Sequence, residues 1–185
     1  MQLGLLSIGP VPADLLKRIQ ENLTTVFPNT NCSVIDEVLP VPQKALDTKR
    51  SQFRSDLILG EIQRYLARHK TFDCVLGVVD ADIYVPGLNF VFGEASCPGK
   101  VALISLHRLK PGFYGASAEG EVFLARSVKE AVHEVGHTLG LRHCTRSSCV
   151  MHFSNSILDT DRKQSVFCGR CDVQVAAALG SSESI

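Results

Sequence analysis

His133-Glu134-Val135-Gly136-His137-Thr138-Leu139-Gly140-Leu141-Arg142-His143 is the stretch on which the reading of this chain turns. On a helix His133 and His137 stand at i and i+4, so both imidazoles leave the same face and can share one metal ion. Glu134, beside the first of them, can reach a water at that metal without binding the metal itself. A third ligand cannot come from i+8 on the same helix, which lies too far along the axis. His143 follows His137 by six residues, and Gly140 stands between them. Glycine can take the left-handed conformation that turns the chain sharply, which would swing His143 back toward the ion. Three protein nitrogens leave a fourth position open, the arrangement of a catalytic rather than a structural zinc. Histidines on the polar face of a helix produce a bare HExxH by chance; the form extended through Gly140 and His143 is far more restrictive.

Immediately downstream the cysteines crowd together. Cys144 adjoins His143, and Cys149, Cys168 and Cys171 complete a set spaced C-x4-C, eighteen residues, C-x2-C. That is the layout of a four-thiolate structural zinc site. Two disulfides, or a redox C-x-x-C pair, are the alternatives. Four cysteines around one loop disfavour the redox pair, and an intracellular setting disfavours the disulfides. A zinc here would pin the segment after the active-site helix and so hold His143. Cys32 and Cys74 fall in apolar strand-like runs and read as small buried hydrophobes. Cys97 reads as a loop thiol.

Further out, hydrophobic periodicity organises the rest of the chain. Gln2–Ile8 and Cys74–Val79 are apolar runs of strand length; Cys32–Val38, Asn89–Gly93 and Val101–Leu106 are further strand candidates. Leu15, Leu16, Ile19, Leu23 and Val26 recur at helical spacing, as do Phe53, Leu57, Ile58, Ile62, Tyr65 and Leu66. A long helix is expected from about Glu119 to Leu139, stopped by Gly140. The alternation points to an α/β (α+β) domain: a mixed sheet of about five strands packed on helices. Residues 1–140 read as an N-terminal α/β subdomain ending in the active-site helix. Residues 141–185 read as a small zinc-stapled C-terminal subdomain.

The chain has 185 residues, of which 45% are apolar and 21% charged, values ordinary for one globular domain. Lys plus Arg and Asp plus Glu are equal at 19 each, so no overall field draws it to nucleic acid or an anionic membrane. The absence of Trp argues in the same direction against a base-stacking surface. No apolar run reaches membrane-spanning length, and the N-terminus lacks the charged region and cleavage site of a signal peptide. The expectation is a cytoplasmic monomer acting on a peptide or protein.

With both clusters assembled, the chain resembles the archaemetzincins, a family of metzincin zinc peptidases. The resemblance rests on His133 to His143, Cys144, Cys149-Val150-Met151, and Cys168 to Cys171, supported by Asn89–Glu94 and Asp159–Lys163. It implies a metzincin-like twisted sheet backed by helices and two zinc ions, one catalytic and one structural. It makes Met151 the Met-turn residue beneath the histidines and Asn89–Glu94 the edge strand along which an extended peptide lies. Some metzincins carry a Tyr two residues after that Met; here the position is Phe153, so no phenol is available. His152 is given no role, and latency through a pro-segment is not expected.

The chemistry so implied is peptide hydrolysis by zinc-activated water, with Glu134 as general base. Aminopeptidase-like action would need an acid near the substrate amine, for which Glu94, Glu119 and Asp82 are candidates. The rival readings are a zinc-binding scaffold with little turnover and a zinc hydrolase of non-peptide amides.

Overall fold

The computed structural model describes residues 1–117 and 120–180. Two strand–helix–strand passages open the chain. β1 (Gln2–Ile8) leads into α1 (Ala13–Val26) and β2 (Asn31–Leu39). Two short strands, β3 (Leu46–Asp47) and β4 (Gln52–Arg54), precede α2 (Ser55–Arg68), which returns to β5 (Cys74–Val79). β6 (Ile83–Tyr84), β7 (Gly93–Ala95) and β8 (Val101–Ser105) follow, then the long helix α3 (Gly120–Thr138), and finally α4 (Ile157–Arg162) and α5 (Gly169–Gly180).

The main sheet has the order β2-β1-β5-β8-β7. Its first four strands are parallel and β7 closes the edge antiparallel to β8. The mixed five-stranded sheet expected from the sequence is therefore present, joined by a three-stranded companion β3-β4-β6.

Strand alternation explains how one sheet carries two cores. Leu3, Leu5, Cys74, Leu76, Val78, Ala102 and Ile104 face α1 and α3. The residues between them, Leu6, Ile8, Val75, Val79, Val101 and Leu103, face α2. Because both faces are covered, the central strands read as continuous apolar runs rather than as alternating ones. Cys32 and Cys74 are buried in the first of these cores, as expected. Leu141, Val150, Met151, Val175 and Leu179 join the same core, so the segment after α3 packs on the helix that precedes it.

Two boundaries shift from expectation. Phe53 belongs to β4, where it pairs with Ile83, and α2 begins only at Ser55. Of the segment Asn89–Glu94, Val91 bridges to Ile83 and only Gly93 and Glu94 enter the main sheet; the edge strand is Gly93–Ala95. Long-range pairing with β6 and β8, absent from local pattern, sets both limits. Glu119, at the expected start of the long helix, lies outside the described residues.

Leu76 is fully buried on the central strand β5 beneath α3. Leu76→Ala is expected to cost about 2–5 kcal/mol, read as a lower urea midpoint with an unchanged slope.

Candidate active site

α3 approaches the sheet with His133, Glu134 and Gly136 on its buried side. It ends one residue before Leu139. Gly140 then takes φ of +89°, a left-handed turn that suits glycine, and Leu141 N–H donates back to the Gly136 carbonyl at 3.2 Å. This turn delivers His143 to the two helical histidines. The ring centroid of His143 stands 4.9 Å from that of His137 and 5.4 Å from that of His133. The nitrogens of the three rings lie within 4.8 Å of one another.

The orientation of the first two rings follows from their backbone partners. His133 Nδ1 meets the Val150 carbonyl at 2.8 Å, and His137 Nδ1 meets the Leu141 carbonyl at 2.7 Å. A carbonyl has no hydrogen to give, so each Nδ1 is the donor and each Nε2 presents a bare lone pair. Those two Nε2 atoms face each other at 3.1 Å. Ligands on a tetrahedral zinc, each about 2.0–2.1 Å from it, would stand about 3.4 Å apart. The donor set therefore fits a metal. Burial lowers the pKa of all three histidines, with the Lys163 charge acting in the same direction, and so favours the neutral, ligating form.

Glu134 is buried beside this cluster. Burial raises its pKa well above the usual carboxylate range; the negative charge of Glu130 adds to this and that of Lys163 opposes it. Its side chain lies against Gly93 on β7. A Cβ at that position would come within 2.6 Å of both Glu134 Cγ and Oε1, so the edge strand needs a residue without one. Met151 is fully buried, and its sulfur would lie 2.6 Å from a Cβ at Gly136. The thioether thus packs against α3 at Gly136, which stands between His133 and His137 in the chain. Phe153 sets its ring 4.8 Å from that of His143.

A cleft of about 420 Å³ opens over these groups, lined by β7, the three histidines, Glu134 and Phe153. Glu94 also borders it. Burial raises the Glu94 carboxyl pKa, with the Ser55 hydroxyl working the other way, and its Oε2 has no hydrogen-bond partner among the described residues. Asp82 is committed elsewhere, to Arg108 at 2.7 Å through both oxygens and to Gln52. Cys97 lines the cleft and its thiol meets the Leu141 carbonyl at 3.5 Å.

The second cluster forms behind His143. The sulfurs of Cys144, Cys149, Cys168 and Cys171 lie within 4.8 Å of one another, and all four are free thiols. Cys144 and Cys168 are 3.8 Å apart, the separation of two thiolates at about 2.3 Å from one tetrahedral zinc. The Cys171 N–H, first among several donors, pulls the Cys168 thiol down to about 6, while burial raises Cys149 and Cys171. Cys144 N–H donates to the Met151 carbonyl at 2.9 Å and His152 Nδ1 to the Cys144 carbonyl at 3.0 Å. These bonds fasten the residue after His143 to the Met151 turn.

Sequence reasoning missed one pair. Lys163 is wholly buried, and its Nζ lies 3.0 Å from Glu130 Oε1 on α3. The contact is electrostatic rather than directional, because the ammonium does not meet hydrogen-bond geometry with any described acceptor. The Thr160 hydroxyl donates to the same oxygen at 3.0 Å. Glu130 stands three residues before His133, so helical spacing placed it on the site face. Asp159–Lys163 stood out only as a family-like segment, and nothing local marked Lys163 as buried, a residue type almost never buried unpaired.

Residues 39–177 match peptidase family M54. The archaemetzincin of Methanocaldococcus jannaschii is 43% identical over 92% of this chain and 90% of its own length. That of Pyrococcus furiosus is 41% identical over 94% and 91%. The crystal structure of archaemetzincin from Methanopyrus kandleri superposes with a TM-score of 0.85 at 35% identity, covering 97% of this chain and 96% of that one. A zinc-dependent peptidase from Methanocorpusculum labreanum gives 0.86 at 31% identity, over 94% and 99%.

Lys163→Met should strand Glu130 as an unpaired buried carboxylate at a cost of about 3–5 kcal/mol. Combining it with Glu130→Gln should recover most of that loss, as measured by chemical denaturation of both variants.

Proposed function

The chain belongs to peptidase family M54, the archaemetzincins, and is a zinc metallopeptidase; on that premise we propose that His133, His137 and His143 hold its catalytic zinc and that Glu134 is its general base. The observation that carries this reading is the pair of Nε2 lone pairs facing each other at 3.1 Å with Glu134 buried beside them. When bound there, zinc polarises the scissile carbonyl and lowers the pKa of water toward about 7.

The protein's own groups do the rest. Glu134 accepts a proton from the attacking water and passes it to the leaving amine. Gly93 leaves its carboxylate the room to do so at the cleft wall. β7 offers an open edge on which an extended peptide aligns as a further strand. Phe153 presents a ring rather than a hydroxyl over His143, so this chain has no tyrosine donor for the developing oxyanion at that position. Met151 supports the two helical histidines from below.

A second zinc is proposed at Cys144, Cys149, Cys168 and Cys171, where the thiol separations fit four ligands on one ion. Its function is to hold the chain behind His143. Aminopeptidase-like cleavage is the finer reading of the substrate. It rests on Glu94, which lines the cleft; of the other candidates, Asp82 is engaged by Arg108 and Glu119 lies outside the described residues.

Native mass spectrometry should count two zinc ions per chain; a single ion would remove the second site from this reading. A peptide-library digest followed by mass spectrometry should show cleavage by the native chain, as an N-terminal ladder if the aminopeptidase reading is right and as internal cuts if it is wrong. Glu134→Gln should keep its zinc and lose on the order of 10²–10⁴-fold in kcat. Equal cleavage by the two proteins would sink the general-base role.

A further inference from the structure

We propose that a basic cavity on the far side of His143 binds a carboxylate of the substrate, so that the protein prefers peptides with an acidic side chain or a free C-terminus near the cleaved bond. This rests on the reading of the cleft as a peptide-hydrolysing site.

The cavity, of about 510 Å³, lies between the turn at Gly140 and α5 and is lined by Arg142, Arg170, Thr145 and Gln174. Arg142 and His143 line both this cavity and the cleft, so the two spaces adjoin at these residues. Arg170 also borders a smaller hollow of about 290 Å³ that contains Arg146. The charge here is local and uncompensated. The chain as a whole is neutral, and Arg18, Arg54, Arg64, Arg108, Arg126 and Arg162 each sit within 4.0 Å of a carboxylate. The guanidinium groups of Arg142, Arg146 and Arg170 are exposed and have no ion pair or hydrogen bond among the described residues.

A guanidinium keeps its charge at any working pH and presents a planar fork of donors that matches a carboxylate two bonds at a time. Arg142 stands one residue from His143, so a carboxylate held there belongs to a substrate already lying in the cleft. One other use of these charges is available. Four thiolates around a divalent ion carry a net negative charge, which Arg146 and Arg170, interleaved with the cysteines, would offset. Arg142 lies outside that loop, and the experiment separates the two uses.

The zinc-loaded full chain carrying Glu134→Gln is titrated with peptides that differ only in Asp against Asn near the scissile bond, or in a free against an amidated C-terminus. The same peptides are digested by the native chain. Charged peptides should bind roughly three- to tenfold tighter than their neutral partners. Which pair shows the difference identifies the source of the carboxylate. The ratio should collapse toward one in Arg142→Gln and in Arg170→Gln, and should shrink as salt screens the charges. Each variant serves as its own reference, since only the ratio is read.

Equal affinity within both peptide pairs overturns the proposal. So does a preference that survives both substitutions, or a loss of zinc from the arginine variants with the ratio unchanged, which would assign the charges to the thiolate cluster. Cleavage of neutral and acidic peptides at equal rates sinks this inference alone; failure to bind or cleave any peptide sinks the peptidase reading with it.

Discussion

Two backbone carbonyls decide what the cleft can hold. By taking the Nδ1 hydrogens of His133 and His137, Val150 and Leu141 turn two lone pairs onto one point, 3.1 Å apart. Bare nitrogens gain nothing from that arrangement, since neither has a hydrogen to offer the other. A cation between them removes the conflict. Neither carbonyl belongs to α3, so the helix alone cannot build the site. The chain beyond it must first turn at Gly140, pass through His143 and Cys144, and return at Val150 and Met151.

The features after α3 follow from that requirement. A left-handed glycine makes the turn, the bond from Cys144 N–H to the Met151 carbonyl closes the loop, and the four thiols gather where the loop would otherwise be free. Second partners of this kind fix the ring orientation of metal-binding histidines and raise their basicity. Here the loop that supplies those partners also supplies the third histidine, so position and orientation are set by one piece of chain.

Burial has a cost on the other side of α3. Glu130, Glu134 and His133 are all turned inward, and two carboxylates one helical turn apart repel each other. Lys163, the residue after α4, offsets this by placing a buried ammonium against Glu130. The same contact ties α4 to the active-site helix. The edge strand is constrained as well: Gly93 has no side chain because the Glu134 carboxylate occupies the space one would need.

The sequence by itself determined the parts whose chemistry is local. One-turn spacing brought His133 and His137 to one face, six residues and a glycine allowed His143 to join them, and cysteine spacing announced a four-sulfur cluster. Apolar runs revealed β1 and β5 because both faces of those strands are buried, and helical periodicity revealed α1 and most of α2. Tertiary structure decided whatever depends on partners far along the chain. Phe53 left the helix its periodicity suggested because Ile83 offered a strand to pair with, and the edge strand moved to Gly93–Ala95 because β8 sets the register. Glu130 and Lys163 met across 33 residues, and nothing near either one could signal it, because a charge can be buried only where the fold brings its opposite.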